Sequence, residues 1–164
     1  MVRKTVPYDP FFYPLDAIAN WNRMYGSAGF LQHQCVVPRD AAPEALKQVL
    51  ARISEAGEGS FLAVLKAFGN VPSPGMMSFP RPGITLALDF PLQGESTLRL
   101  LDRLDEIVVD YGGAVYPAKD ARMSPRTFEA SFPAWREFEP FIDERFSSDF
   151  WRRVTGSSTA KETA

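Results

Sequence analysis

Two segments of helical periodicity, each stopped by glycine and each set between apolar runs too short for a helix, constrain this chain most. From Ala42 to Ala56, the residues Ala45, Leu46, Val49, Leu50 and Ile53 recur at the spacing of one helix face. Pro43 suits the first turn, and Gly57 supplies the stop. From Glu95 to Tyr111, Leu98, Leu101, Leu104, Ile107 and Val108 make a second stripe, closed by Gly112 and Gly113. An amphipathic helix must bury its stripe on something, and the runs between these two supply it.

Gly29 to Val37 alternates, with Phe30, Gln32, Gln34 and Val36 on one face and Leu31, His33, Cys35 and Val37 on the other. Ser60 to Phe68 is almost continuously apolar, as expected of a strand covered on both faces, and Lys66 interrupts it. Beyond a loop rich in Pro, Gly, Ser and Met, Ile84 to Phe90 alternates again, and Ala114 to Tyr116 forms a short last strand. The order β-α-β-β-α-β implies an α+β fold of split βαβ (ferredoxin-like) type, a four-stranded antiparallel sheet with two helices on one face.

Outside that unit lie two aromatic-rich flanks. Residues 1–28 are expected to be an ordered, docked segment, extended through Tyr8-Asp-Pro-Phe-Phe-Tyr-Pro-Leu-Asp16, with a short helix from Asp16 that Gly26 ends. Residues 29–118 form the α+β domain. Residues 119–154 make a helical C-terminal extension broken by prolines, with helices at Pro125 to Ser131, Ala134 to Phe146 and Ser148 to Val154. Residues 155–164 hold nothing to bury and are expected to be a disordered tail. The aromatics from Phe128 to Trp151 are expected to leave apolar surface exposed for a partner, which also allows a homodimer.

The charge balance, 18 basic against 20 acidic residues, and the lack of a Lys/Arg stripe do not fit a nucleic-acid partner. No run of about 18 uncharged apolar residues exists for a membrane span, so the chain reads as cytoplasmic or peripheral to the inner membrane. One cysteine and one histidine cannot make an internal disulfide or a four-ligand zinc site.

Lys66 is the sharpest chemical signal. An ammonium among Phe, Leu, Val and Ala must be paired, must reach water along its stem, or must be held there to grip a ligand. Gln32 and Gln34 point the same way, as edge-strand solvent residues or as a pair of amides orienting a hydroxyl-bearing ligand. His33, on the opposite face, reads as a structural histidine, and Cys35 as a small core residue. Tyr116 and Lys119 stand at the end of the last strand. No glycine-rich phosphate loop, Ser/His/Asp set or paired carboxylates accompany them, so any catalysis borrows its reactive group.

Several motifs in order carry a resemblance. Residues 12–16 (Phe-Tyr-Pro-Leu-Asp), Trp21-Asn22, Tyr25-Gly26, Ala28-Gly29-Phe30, Gln32, Gln34, Lys66, Phe68-Gly69, Ser78-Phe79-Pro80, Pro82-Gly83, Asp89-Phe90-Pro91 and Ala118-Lys119-Asp120 are those motifs. Together they resemble the C-terminal part of the decaprenylphosphoryl-ribose 2'-oxidase-like enzymes of the vanillyl-alcohol oxidase superfamily, which also holds the aldonolactone oxidases. The resemblance runs from about Phe11 to Val154. It implies the substrate domain of an FAD-dependent oxidoreductase in which a carbinol passes hydride to the flavin, with the FAD held mainly by a separate domain or subunit.

Carried over position by position, Lys66 is the candidate catalytic residue. Gln34, Gln32, Thr85 and Tyr116 are candidate substrate contacts, and Lys119 and Tyr116 candidate cofactor contacts. Thr85 and Ala87 depart from the asparagine and cysteine that the decaprenylphosphoryl-ribose enzymes carry, which puts that substrate in doubt and leaves a polyol, sugar or lactone. Without an FAD-binding domain the chain is expected to be inactive. The competing reading is a standalone ferredoxin-like binding module without redox activity.

Overall fold

A computed structural model describes residues 4–119 and 121–156. Its centre is a four-stranded antiparallel sheet built from β1 (Phe30–Val37), β2 (Ala63–Phe68), β3 (Gly83–Pro91) and β4 (Ala114–Val115) in the order β2-β3-β1-β4. Helix α2 (Ala42–Glu55) connects β1 to β2, and α3 (Glu95–Asp110) connects β3 to β4. Each helix therefore links two parallel strands with a third strand between them, the split βαβ topology expected.

Strand parity decides what the helices cover. In the β1–β3 register, His33 lies opposite Leu88, Cys35 opposite Leu86 and Leu31 opposite Phe90, so these side chains share one face. Cys35, Leu86, Leu88 and Phe90 form a core with Ala45, Val49 and Ile53 of α2 and with Leu101, Leu104 and Val108 of α3, and Leu31 packs against it. Leu50, placed by spacing on the buried stripe of α2, is instead 53% exposed, because it lies at the edge of that stripe. After α3, Gly112 takes a left-handed φ of +68°, and a Cβ on Gly113 would sit 2.5 Å from the Val36 carbonyl oxygen. Only glycine lets the chain turn there and run straight back along β1.

The structure corrects the reading of β2. It is shorter than the apolar run, it lies at the sheet edge, and Leu65 is 63% exposed. Hydrophobicity sets how much a strand gains from cover; the strand order decides whether cover is there.

The C-terminal extension packs on α3 and β4. It comprises α4 (Pro125–Ser131), α5 (Trp135–Phe138) and α6 (Asp149–Thr155), with two short 3-10 turns at Glu139–Phe141 and Glu144–Phe146. The expected helix from Ala134 to Phe146 is thus broken at Pro140, which has no N–H to continue it. Ser124 and Ser148 cap α4 and α6, accepting from the N–H groups of Thr127 and Trp151 at 3.1 Å. The hydroxyl oxygen of Ser131 accepts from the Val115 N–H at 3.1 Å, closing the outer edge of β4.

Phe128, Phe132, Trp135 and Val154 are all buried here, so most of the expected sticky aromatic set forms this chain's own core. Phe141 and Phe146 are the exposed members, at 72% and 82%. Thr155, assigned to the tail, closes α6; residues 157–164 lie outside the described residues.

The N-terminal flank also differs from the extended segment expected. Tyr8–Phe12 forms a one-turn helix, α1, followed by 3-10 turns at Pro14–Ala17 and Trp21–Tyr25. Its aromatics pack on one another, Tyr8 and Phe12 with centroids 4.6 Å apart, and they remain largely exposed. Tyr25 is the buried residue of this flank, stacked on Phe30 at 4.2 Å on the sheet face opposite α2 and α3.

Candidate functional site

Helices α2 and α3 pack on the first face; on the second, the Trp21–Tyr25 turn sets Tyr25 against Phe30, and parity places the polar residues of three strands there. Gln32 lies opposite Asp89, Gln34 opposite Ala87, and Thr85 pairs with Lys66 on its other side. The five polar side chains, with Lys119 from the turn after β4, line one concavity of about 140 Å³ whose floor includes Val64 and Ala87. Lys66, Gln34, Gln32, Thr85 and Lys119, drawn from residues 32 to 119, are therefore brought together.

Lys66 stands exposed on the edge strand and makes no ion pair among the described residues. The edge position removes the cost that a doubly covered strand would have imposed on its charge. What remains is an ammonium on the same face as the two glutamines.

Both glutamine amides are oriented from within. Gln34 Nε2 donates to the Thr85 hydroxyl at 3.2 Å, and Gln32 Nε2 donates to Asp89 Oδ1 at 2.8 Å. Thr85 is only 2% exposed, so its hydroxyl reaches a ligand through Gln34 rather than by contact. The Tyr25 hydroxyl donates to the other carboxylate oxygen of Asp89 at 2.9 Å. Burial first and this bond second push the Tyr25 phenol up to about 12, which keeps it a neutral donor.

Tyr116 is set to one side. Its ring stacks on Phe79 with centroids 4.4 Å apart, its N–H donates to the Gln34 carbonyl at 2.8 Å, and it lines a neighbouring cavity of about 20 Å³ shared with Lys119 and both glutamines. The two-residue β4 leaves the first half of β1 unpaired on that side, which opens this cavity. The turn that fills the gap carries Lys119; Asp120, the last residue of its motif, lies outside the described residues.

Across the sheet, His33 is a structural residue. Its Nε2 donates to Asp105 Oδ1 at 2.9 Å, and Asp105 Oδ2 accepts from Arg122 at 3.2 Å, all beneath α3. Cys35 is 1% exposed, and burial pushes its thiol up to about 12, so it is no nucleophile. Asp89 is the site residue that sequence reasoning passed over. Its signal was parity: it shares a face of β3 with Thr85 and Ala87, opposite Gln32.

The chain is 41% identical over 152 residues to decaprenylphosphoryl-beta-D-ribose oxidase of Mycolicibacterium smegmatis (strain ATCC 700084 / mc(2)155), an alignment covering 88% of this chain and 32% of that protein. It is related to part of an FAD-linked oxidase. A second relative, an uncharacterized protein in the mprA 5' region of Streptomyces coelicolor, is 34% identical over 131 residues, or 77% of this chain and 35% of that protein. This oxidase relative thus spans about a third of each of these proteins, and no family model matches it. No helix among its described residues is long and apolar enough to cross a membrane.

Proposed function

We propose that this chain is the substrate-binding portion of an FAD-dependent oxidoreductase that oxidises a carbinol of a sugar, sugar lactone or other polyol. The observation that carries the reading is the convergence of Lys66, Gln32, Gln34 and Lys119 on one concavity of the sheet face opposite α2 and α3. Amide oxygens suit hydroxyl donors, and an ammonium suits an oxygen that gains negative charge.

FAD, when bound, would supply the hydride acceptor. The residues present fit such a ring: two lysines and two neutral amides line a concavity with an apolar floor, and its one carboxylate, Asp89, is engaged by Gln32 and Tyr25, which favours an electron-accepting group that gains charge. Lys119 and Tyr116 would hold its edge where the chain leaves β4. In this scheme Gln34 and Gln32 orient the substrate hydroxyls, Lys66 Nζ holds the carbinol oxygen, and the proton of the carbinol O–H would leave to solvent through the open concavity as the hydride leaves the carbon. The partner is the FAD-binding domain or subunit, and its contact is proposed to cover the exposed aromatics of the N-terminal flank and of Phe141 and Phe146. A cytoplasmic or inner-membrane-peripheral setting goes with that reading.

The test is co-expression with an FAD-binding polypeptide of the same family. A co-purifying yellow complex with flavin absorbance is expected. Absence of both flavin and association sinks the proposal.

A further inference from the structure

A buried carboxylate on the open face of a sheet needs a reason, and Asp89 is 2% exposed there. Each of its oxygens is occupied, Oδ1 by Gln32 Nε2 at 2.8 Å and Oδ2 by the Tyr25 hydroxyl at 2.9 Å, while its backbone N–H donates to the Ser60 hydroxyl oxygen at 2.8 Å. The carboxylate thus sits beneath two donors, and one of them belongs to the candidate ligand-binding set.

We propose that Asp89 is a positioning residue that locks the Gln32 amide in one orientation, so that the carbonyl Oε1 is the acceptor presented to a ligand. An amide has two ends of opposite polarity, and a carboxylate accepts from only one of them. Turning Gln32 over would set its Oε1 against Asp89 Oδ1, two acceptors in contact. Gln32 Oε1 has no partner among the described residues, and neither has Gln34 Oε1, since the Nε2 of Gln34 is directed at Thr85. Residues two apart on a strand are separated by about 6.6 Å. The face therefore offers two like acceptors in a row. Such a pair of acceptors suits a ligand bearing two hydroxyl donors at that separation. This specificity rests on the oxidoreductase reading; the orientation of Gln32 does not.

The deciding experiment uses the chain alone, labelled with ¹⁵N. The side-chain amide signals of Gln32 are assigned by their loss in Gln32→Glu. One Nε2 proton is expected downfield and slower to exchange than those of Gln93. In Asp89→Ala, which removes both acceptor oxygens, that signature is expected to disappear. In Tyr25→Phe it is expected to persist, since that change removes only the second donor. Retention in Asp89→Ala, or loss in Tyr25→Phe, overturns the proposal, and the Tyr25 variant still decides if Asp89→Ala fails to fold.

In a flavin-loaded complex with D-arabinono-1,4-lactone as the probe, Asp89→Ala is expected to raise KM about tenfold, the cost of one lost orienting hydrogen bond, and to lower kcat less. A fall in kcat at constant KM contradicts it. If no flavin complex forms, the oxidoreductase reading fails while the amide spectra still settle the orientation.

Discussion

Lys66 and Thr85 face each other across β2 and β3, which puts the ammonium of the edge strand beside the hydroxyl that orients Gln34. The pairing joins the residue with the most exposed charge in the site to one of the least exposed, and separates their duties. Lys66 can touch a ligand, whereas Thr85 acts through the amide above it.

Lys66→Met should therefore leave folding intact. An exposed position without an ion pair contributes within about 0.5 kcal/mol, so the urea midpoint of the isolated chain should scarcely move. In the flavin complex the same change should cut kcat/KM by about a hundredfold, as loss of a charged donor to the reacting oxygen does. Wild-type turnover with flavin bound would make Lys66 an ordinary surface lysine.

Asp105→Ala should be among the most damaging single changes in the α+β unit. It would leave His33 without the acceptor 2.9 Å from its Nε2 and strip Arg122 of a partly buried contact. The expected cost is about 3 kcal/mol, read from urea denaturation. A loss under about 1 kcal/mol would mean water takes over both contacts.

Alkaline pH should destabilise the chain through two groups. The Tyr25 phenol is raised from 10.0 to about 12 and the Cys35 thiol from 9.0 to about 12, in both cases chiefly by burial. Each holds its proton longer in the folded state, so unfolding releases protons and stability falls as pH rises, from about 9 for Cys35 and about 10 for Tyr25 up to about 12. Tyr25→Phe should flatten the upper part of that decline and Cys35→Ala the lower part. Identical profiles in all three proteins would show that neither group governs it.

The isolated chain should self-associate. Phe11, Phe12, Phe141 and Phe146 are each more than half exposed, and contiguous Phe11 and Phe12 offer apolar surface that association would bury. Sedimentation velocity should find concentration-dependent species, and Phe11→Ser with Phe12→Ser should shift them toward monomer. A clean monomer at high concentration would favour a chain adapted to work alone.

By itself the sequence determined the order and type of the main elements, because helical and alternating spacing report local geometry. It also determined that Gln32 and Gln34 share a face and that His33 does not, because strand parity is strict. Only the tertiary structure decided that β2 is an edge strand, because its apolar run reads the same at a sheet's edge as at its centre. It also decided that the aromatics of Phe128 to Trp135 close this chain's own core, and that Asp89 lies under Gln32. Cross-strand register and long-range packing set these contacts, and no local spacing encodes them.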